Sequence, residues 1–169
     1  KEDFSEEAYF DVIRKKTAAL FKASSQSGAV SVGAVQEEVM KAGLLGEMIG
    51  IAFQIKDDIF DYFESPELGK PTGNDMLEGK LTLPALYVLN QTGDDSLKQT
   101  ALKIRSLEAS KEEIANFVET VKEKGGIEYA TRMMYEFRDK ALALVPASAD
   151  SSLKEALTAY IDYVIERNK

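Results

Sequence analysis

The sequence predicts an all-α protein, and three observations lead to this prediction. Long stretches repeat apolar residues with the 3.6-residue period of a helix, and no sustained alternation of apolar and polar residues indicates a strand. Proline, which interrupts helices, occurs only four times among 169 residues. Apolar residues make up 44% of the chain, which is enough to build a helical core. Because this is the usual length of one domain, we expect a single domain over 1–169.

Two long helices are predicted in the first part of the chain. A helix over 5–25 can begin at Ser5, whose hydroxyl suits the capping position. The small residues of 28–33 continue, bend or break it. The next helix, over 34–63, is apolar around most of its circumference in its second half and is therefore expected to be buried. Glycine and proline then predict a loop over 64–80.

The remaining helices are shorter and mostly amphipathic. A helix over 82–90 carries Pro84 in its first turn, where proline is tolerated. Four further helices with mixed-charge surfaces are predicted after it, over 95–106, 111–124, 126–144 and 151–167. Polar residues embedded in apolar helices occur only before residue 90. We therefore expect the functional residues within 1–90 and peripheral helices over 91–169.

The composition excludes several classes of function. The net charge of −8, from 21 basic and 29 acidic residues, argues against a protein that binds nucleic acid. The chain has neither cysteine nor histidine, so thiolate and imidazole metal ligands are absent. A bound metal would be a hard cation held by oxygen atoms, with Mg²⁺ the leading choice. No apolar run is long enough to span a bilayer. Because the chain starts at Lys1 without an initiator methionine, we interpret it as a piece of a longer protein.

A cluster of carboxylates is the most unusual feature. Asp57, Asp58 and Asp61 lie within about one turn of the second predicted helix, among isoleucine and phenylalanine residues. Like charges at this spacing destabilise a helix by about 0.2–0.5 kcal/mol per pair, so a cation is expected in front of them. A solvated helix face is the alternative, which the apolar flanks make less favoured. On a helical wheel the cluster shares one stripe, facing a cavity or a partner helix, with Glu47, Gly50 and Gln54.

Lysines near this cluster suggest a phosphorylated ligand. Lys70 and Lys80 each follow a glycine in the predicted loop, ten residues apart. Cationic side chains that complement a magnesium ion can stabilise the charge that develops on a diphosphate leaving group. Lys16 lies at the edge of the apolar face of the first helix and could point towards the same cavity. Ordinary solvated lysines are the alternative interpretation for all three.

The order of these residues resembles the trans-isoprenyl diphosphate synthases, especially the bacterial long-chain, octaprenyl-type members. The similarity extends over roughly residues 9–90, and the later helices are compatible with the family without being diagnostic. The residues that carry it are Lys16-Thr17, the run Phe-Gln-Ile-Lys-Asp-Asp-Ile-Phe-Asp-Tyr over 53–62, Gly69-Lys70, Asp75, Glu78-Gly79-Lys80, Thr82 and Leu83-Pro84.

The resemblance implies a fold, an activity and a set of site residues. The fold would be the C-terminal portion of an isoprenoid-synthase bundle, all-α around a central cavity. The activity would be Mg²⁺-dependent prenyl transfer, in which an allylic diphosphate condenses with isopentenyl diphosphate to give a longer polyprenyl diphosphate. The implied roles are metal binding by Asp57, Asp58 and Asp61, diphosphate binding by Lys16, Lys70 and Lys80, and catalysis at the allylic substrate by Lys16, Thr17 and Gln54.

The chain also departs from the pattern that it resembles. Family members carry an earlier aspartate-rich motif, for which this sequence has no match, since Asp94-Asp95 has different surroundings. We therefore expect a C-terminal half of a synthase that is inactive alone. The resemblance further implies a homodimer in the cytoplasm. The alternative is a noncatalytic helical subunit, or interaction module, that retains the diphosphate-binding motif.

Overall fold

A computed structural model of the chain describes residues 4–64 and 72–167, and these ranges are helical without any strand. The all-α prediction is therefore confirmed. No helix in the described ranges is long and apolar enough to cross a membrane. The elements in order are α1 (Glu6–Ile13), a π-helical turn (Arg14–Ala18), α2 (Ala19–Ser31), α3 (Gln36–Phe60), α4 (Asn74–Leu77), α5 (Leu83–Thr92), α6 (Asp95–Arg105), α7 (Lys111–Glu123), α8 (Gly126–Ala143) and α9 (Ser151–Glu166).

The first predicted helix is longer than expected and is not regular. It continues through Gly28, and α2 ends only at Ser31, followed by Gly33 with a φ of 74°. Between α1 and α2 the backbone widens into a π-helical turn over Arg14–Ala18. Such turns are rare and often occur at functional sites. The apolar period of the sequence could not predict the turn, because it shifts the helical phase by a single residue.

The predicted loop over 64–80 contains a short helix that the sequence analysis missed. Four residues, Asn74–Leu77, form α4, and Gly73 precedes them with a φ of 77°. The left-handed conformation favours glycine at this position, since other residues are strained there. Residues 65–71 of the predicted loop lie outside the described residues.

The chain divides into two compact units, and neither unit is continuous in sequence. The first comprises residues 1–9 and 57–131, and the second comprises 10–56 and 132–169. The sequence also predicts functional residues within 1–90 and peripheral helices over 91–169. That division concerns function, and it stays a prediction.

The first unit has a core built around α5. Six of the ten residues of α5 are buried, and α5 packs against α7, which buries one face of its own. The helices α4 and α6 also contact α7. Local caps set the helix starts: Asp94 accepts hydrogen bonds from the amides of Ser96 and Leu97, and Ser110 and Glu113 form a reciprocal capping box. Asp94 thus caps the start of α6.

The second unit contains the π-helical turn, α2, most of α3 and α9. Helix α3 approaches the turn and α2 closely at two glycines. A Cβ on Gly50 would lie 2.6 Å from the Cα of Ala18, and one on Gly46 would lie 2.5 Å from the carbonyl oxygen of Phe21. Because these atoms are backbone, a side chain at either glycine would push the helices apart. This close approach places residues of α3 directly against the π-helical turn.

Candidate active site

The three predicted metal-binding aspartates have different environments in the first unit. Asp57 is exposed to solvent, and Asp61 is partly exposed. Asp58 is only 4% exposed, and its Oδ2 accepts a hydrogen bond of 2.5 Å from the hydroxyl of Tyr9. Donation of a buried hydroxyl to a carboxylate is one of the stronger hydrogen bonds in proteins. The sequence therefore identified the cluster, but it did not reveal that its members are held differently.

Two buried tyrosines, Tyr9 and Tyr62, interact with Asp58. Burial, followed by the charge of Asp58 and the hydrogen bond to it, raises the pKa of Tyr9 well above its ordinary value. Burial also raises the pKa of Tyr62, with further contributions from Asp58 and Asp61, while groups of Thr82 and Ala85 act in the opposite direction. Both phenols are therefore protonated at neutral pH, and Tyr9 is available as a donor to the carboxylate.

Asp61 is joined to the segment that begins α4. Its Oδ1 accepts a hydrogen bond of 3.0 Å from the amide of Asn74, and its Oδ2 accepts one of 3.1 Å from the amide of Asp75. The amide of Gly73 donates to the main-chain carbonyl of Asp61 at 2.8 Å. Three consecutive amides therefore end on one residue. The aspartate motif did not predict this role for Asp61.

Lys80 lies in the same unit and follows α4. Its amide donates to the carbonyl oxygen of Asp75 at 2.8 Å, and its ammonium lies 3.7 Å from Asp75 Oδ1. The ammonium also pairs with Glu78, and this hydrogen bond is the main cause of a raised pKa for Lys80. The lysine therefore carries a positive charge at neutral pH. Lys70, the other predicted loop lysine, lies outside the described residues.

Two predicted residues meet in the second unit. The hydroxyl of Thr17, in the π-helical turn, donates a hydrogen bond of 2.6 Å to Oε1 of Gln54 in α3. Lys16, its neighbour in the turn, is exposed. Because a π-helical turn changes the direction of the side chains within it, this turn determines how Lys16 and Thr17 are presented. The structure thus brings Thr17 and Gln54 together.

Glu47 shows that part of the predicted polar stripe faces a partner helix. Its carboxylate is almost buried and lies 3.1 Å from Nε of Arg14 and 2.9 Å from Nζ of Lys22. A buried carboxylate needs such partners, because its desolvation is otherwise costly. The close contacts of Gly50 point to the same conclusion. The sequence left a cavity and a partner helix open, and for Glu47 and Gly50 the partner helix is correct.

Aromatic contacts hold the residue before Gln54. The ring of Phe53 lies 5.3 Å from the ring of Phe21, and the guanidinium carbon of Arg167 lies 3.8 Å from the centroid of Phe53. Burial and the nearby charge of Arg167 lower the pKa of Lys56, which Glu166 partly opposes. The C-terminal end of α9 therefore contacts the helix that carries the aspartates.

The donor chemistry fits a magnesium ion, although no complete carboxylate cage is formed. Within residues 4–64 and 72–167, no group of three carboxylates is close enough to hold a metal ion by itself. Magnesium usually binds one or two protein carboxylates and completes its shell with water and phosphate oxygens. The carboxylate oxygens of the aspartate motif match that need for one or two protein ligands, so a cage of three carboxylates is not required.

Some participants in the site were missed by the sequence analysis. Tyr9 is 49 residues away from Asp58 in the chain, and Arg14 is 33 residues away from Glu47. Nothing in the local sequence pairs residues over such distances, because a helical wheel describes one helix at a time. A buried-looking tyrosine on the apolar face of the first helix was the only available signal for Tyr9.

Comparisons with known proteins point to one family. The sequence profile of the polyprenyl synthetase family matches residues 1–121. Octaprenyl diphosphate synthase from Escherichia coli is 30% identical over 99% of this chain and 52% of its own length. The chain spans about half the length of the curated relatives that it matches.

Two solved structures are also similar. Geranylgeranyl pyrophosphate synthase from Bacteroides thetaiotaomicron is 57% identical, with a TM-score of 0.93 over 99% of this chain and 55% of that one. Polyprenyl synthase from Caulobacter crescentus, solved with calcium and isoprenyl diphosphate, is 31% identical, with a TM-score of 0.86 over 99% of this chain and 52% of that one. Both likenesses extend over nearly all of this chain.

Proposed function

The chain belongs to the polyprenyl synthetase family, and on that premise we propose that it supplies the diphosphate-binding part of a Mg²⁺-dependent prenyl transferase. The reaction would join an allylic diphosphate to isopentenyl diphosphate and give a longer polyprenyl diphosphate. The observation that supports this most is the extent of the family match, residues 1–121. That stretch contains every residue proposed for the site: Lys16, Thr17, Gln54, Asp57, Asp58, Asp61, Lys70 and Lys80.

The proposed roles follow from the environment of each side chain. Asp57 is the exposed carboxylate of the motif, and Asp58 is supported from behind by the hydroxyl of Tyr9. When bound, magnesium would offset the negative charge of the diphosphate and ease its departure. Lys80, with Lys70 and Lys16, would bind diphosphate oxygens, for which an ammonium group is a suitable point charge. Thr17 and Gln54, already hydrogen-bonded, would line the allylic substrate.

The proposal extends to the oligomeric state, the location and the activity of the chain alone. The proposal includes a homodimer and a cytoplasmic location, both of which come from the family resemblance. The product length stays open, because the similar proteins include an octaprenyl and a geranylgeranyl synthase by name. The chain alone is proposed to be inactive, since the earlier aspartate-rich motif of the family is absent from its sequence.

A noncatalytic helical subunit is the second candidate function. It is supported by α2, in which none of the 13 residues is buried although several are apolar. Such a surface suits a subunit that binds another polypeptide. The two candidates differ in one respect, since only the first requires the aspartates and lysines to act on substrate.

A reconstitution assay separates the two candidates. The chain is mixed with a separately produced polypeptide comprising the part of the Bacteroides synthase that it does not match. Radiolabelled isopentenyl diphosphate, allylic primers and Mg²⁺ are then added. We expect turnover from the mixture and none from either part alone, with a loss on the order of 100-fold or more for Asp57→Asn. The matched control is Asp95→Asn at the exposed start of α6, which should retain the rate.

The outcomes of this assay are distinct. Turnover by the chain alone would contradict the proposed inactivity of the isolated part. If the two polypeptides form a stable complex that does not turn over, the catalytic proposal fails and the noncatalytic subunit is favoured.

A further inference from the structure

We propose that Asp61 is a positioning residue that holds Lys80 in place, and that it does not serve as a metal ligand. The role of Lys80 as a diphosphate-binding group rests on the proposed function given above. The attachment of residues 73–75 to Asp61 does not depend on that function. The inference therefore divides into a structural part and a functional part that can be tested separately.

Three hydrogen bonds attach residues 73–75 to Asp61. The carboxylate oxygens accept the amides of Asn74 and Asp75, one each, at 3.0 and 3.1 Å. The carbonyl oxygen of the same residue accepts the amide of Gly73 at 2.8 Å. Hydrogen bonds to a charged carboxylate are roughly twice as strong as those between neutral groups. The end of α3 and the start of α4 are thereby tied together through one residue.

The attached segment in turn holds Lys80 through Asp75. Asp75 accepts the amide of Lys80 at its carbonyl oxygen, at 2.8 Å. Its carboxylate lies 3.7 Å from the ammonium of the same lysine. Lys80 is thus connected to Asp61 through Asp75, by the main-chain hydrogen bond from Lys80 to Asp75 and the hydrogen bond from the Asp75 amide to Asp61. A displacement of residues 73–75 would displace the lysine with them.

Asp57, one turn earlier in the sequence, differs from Asp61 in its exposure to solvent. Asp57 is exposed, whereas both oxygens of Asp61 are directed at backbone amides. Binding of a cation at those oxygens would draw electron density from them and so weaken the bonds to the amides. Asp61 therefore suits the attachment of the segment better than it suits metal binding.

The structural part is tested by amide hydrogen exchange on the chain, followed by NMR without metal. In Asp61→Ala the amides of Asn74 and Asp75 should exchange about tenfold faster or more, relative to the amides of α5. In Asp61→Asn one of the two amides should keep its protection, because the side-chain amide offers a single carbonyl acceptor. Asp57→Ala is the matched control and should leave both unchanged.

The result that overturns the structural part is clear. Unchanged exchange of Asn74 and Asp75 in both Asp61 variants would show that the carboxylate does not hold the segment. If Asp61→Ala does not fold, Asp61→Asn still decides, since it preserves the shape of the side chain. The amide of Gly73 bonds to main chain and should change least, which separates the local effect from general loosening.

The functional part is tested in the reconstituted mixture. Asp57→Asn should raise the Mg²⁺ concentration needed for half-maximal rate, whereas Asp61→Asn should raise KM for the diphosphate substrate with the Mg²⁺ requirement unchanged. An equal rise in Mg²⁺ requirement for both variants would overturn the inference and make Asp61 a ligand. If the mixture shows no activity at all, the proposed function has failed, and hydrogen exchange still decides whether Asp61 holds the segment.

Discussion

Helices α5 and α2 are both rich in apolar residues, yet they differ completely in burial. Six of the ten residues of α5 are buried, and none of the 13 residues of α2 is. In α5 the apolar residues are large aliphatic ones that pack against α7. In α2 small residues predominate, and Leu20 and Val30 remain 70% and 61% exposed. Apolar content alone therefore does not determine burial, because another element must also cover the apolar residues.

The difference also bears on function. Contacts of α2 within its unit include Phe21 next to Gly46 of α3, Gln26 next to Gly43, and Lys22 with Glu47. Leu20 and Val30 lie on an exposed part of its surface. By contrast, α5 follows Lys80 closely in sequence and packs against α7, which α4 also contacts.

The largest effect that we expect tests this comparison directly. Leu86 in α5 is 2% exposed, so Leu86→Ala should lower the free energy of unfolding by about 2–5 kcal/mol through lost burial and a cavity. Leu20→Ala in α2, with the same change of side chain, should alter it by less than about 0.5 kcal/mol. Urea denaturation measures both. A large loss for Leu20→Ala would show that the exposed face of α2 is covered in solution.

A smaller effect is expected at Tyr9, which supports Asp58 in the unit that contains α5. Tyr9→Phe removes a hydrogen bond to a buried carboxylate and should lower the free energy of unfolding by about 1.5–3 kcal/mol at pH 7. The matched control is Tyr160→Phe on α9, where the side chain is half exposed and no effect beyond about 0.5 kcal/mol is expected.

The Tyr9 effect should also depend on pH in a defined direction. The pKa of Tyr9 is raised in the folded chain, so above about pH 10 the unfolded chain releases a proton that the folded chain retains. This stabilisation is complete below about pH 10 and is lost as the pH rises towards the folded-state pKa. The difference between the native chain and Tyr9→Phe should therefore shrink from pH 10 to pH 11. A difference that grows over this range would contradict the raised pKa.

Much of the fold could be predicted because it depends on local sequence. The starts of α7 and α9 agree with the prediction, since Ser110, Glu113 and Asp150 cap those helices from within a few residues. Thr17 and Gln54, which the family resemblance singled out separately, are joined by a hydrogen bond that the sequence did not predict.

The features that were missed depend on distant contacts or on subtle backbone geometry. The π-helical turn adds one residue per turn without any breaker residue, and α4 has only four residues after a glycine-rich segment. Pairing of Tyr9 with Asp58 joins residues 49 apart. Attachment of Asp61 to Asn74 and Asp75 requires the loop to return, which an acidic motif alone cannot indicate.

The central claim is that this chain binds a diphosphate together with Mg²⁺ through its aspartate motif. A thermal-shift titration of the chain with a bisphosphonate, with and without Mg²⁺, tests it most directly. We expect the Tm to rise only when both are present, by an amount equivalent to about 2.7 kcal/mol at 100 times Kd. The rise should largely disappear in Asp57→Asn and Lys80→Gln, and it should persist in Asp95→Asn and Lys98→Gln. Equal Tm values with and without Mg²⁺ at saturating bisphosphonate would contradict the claim.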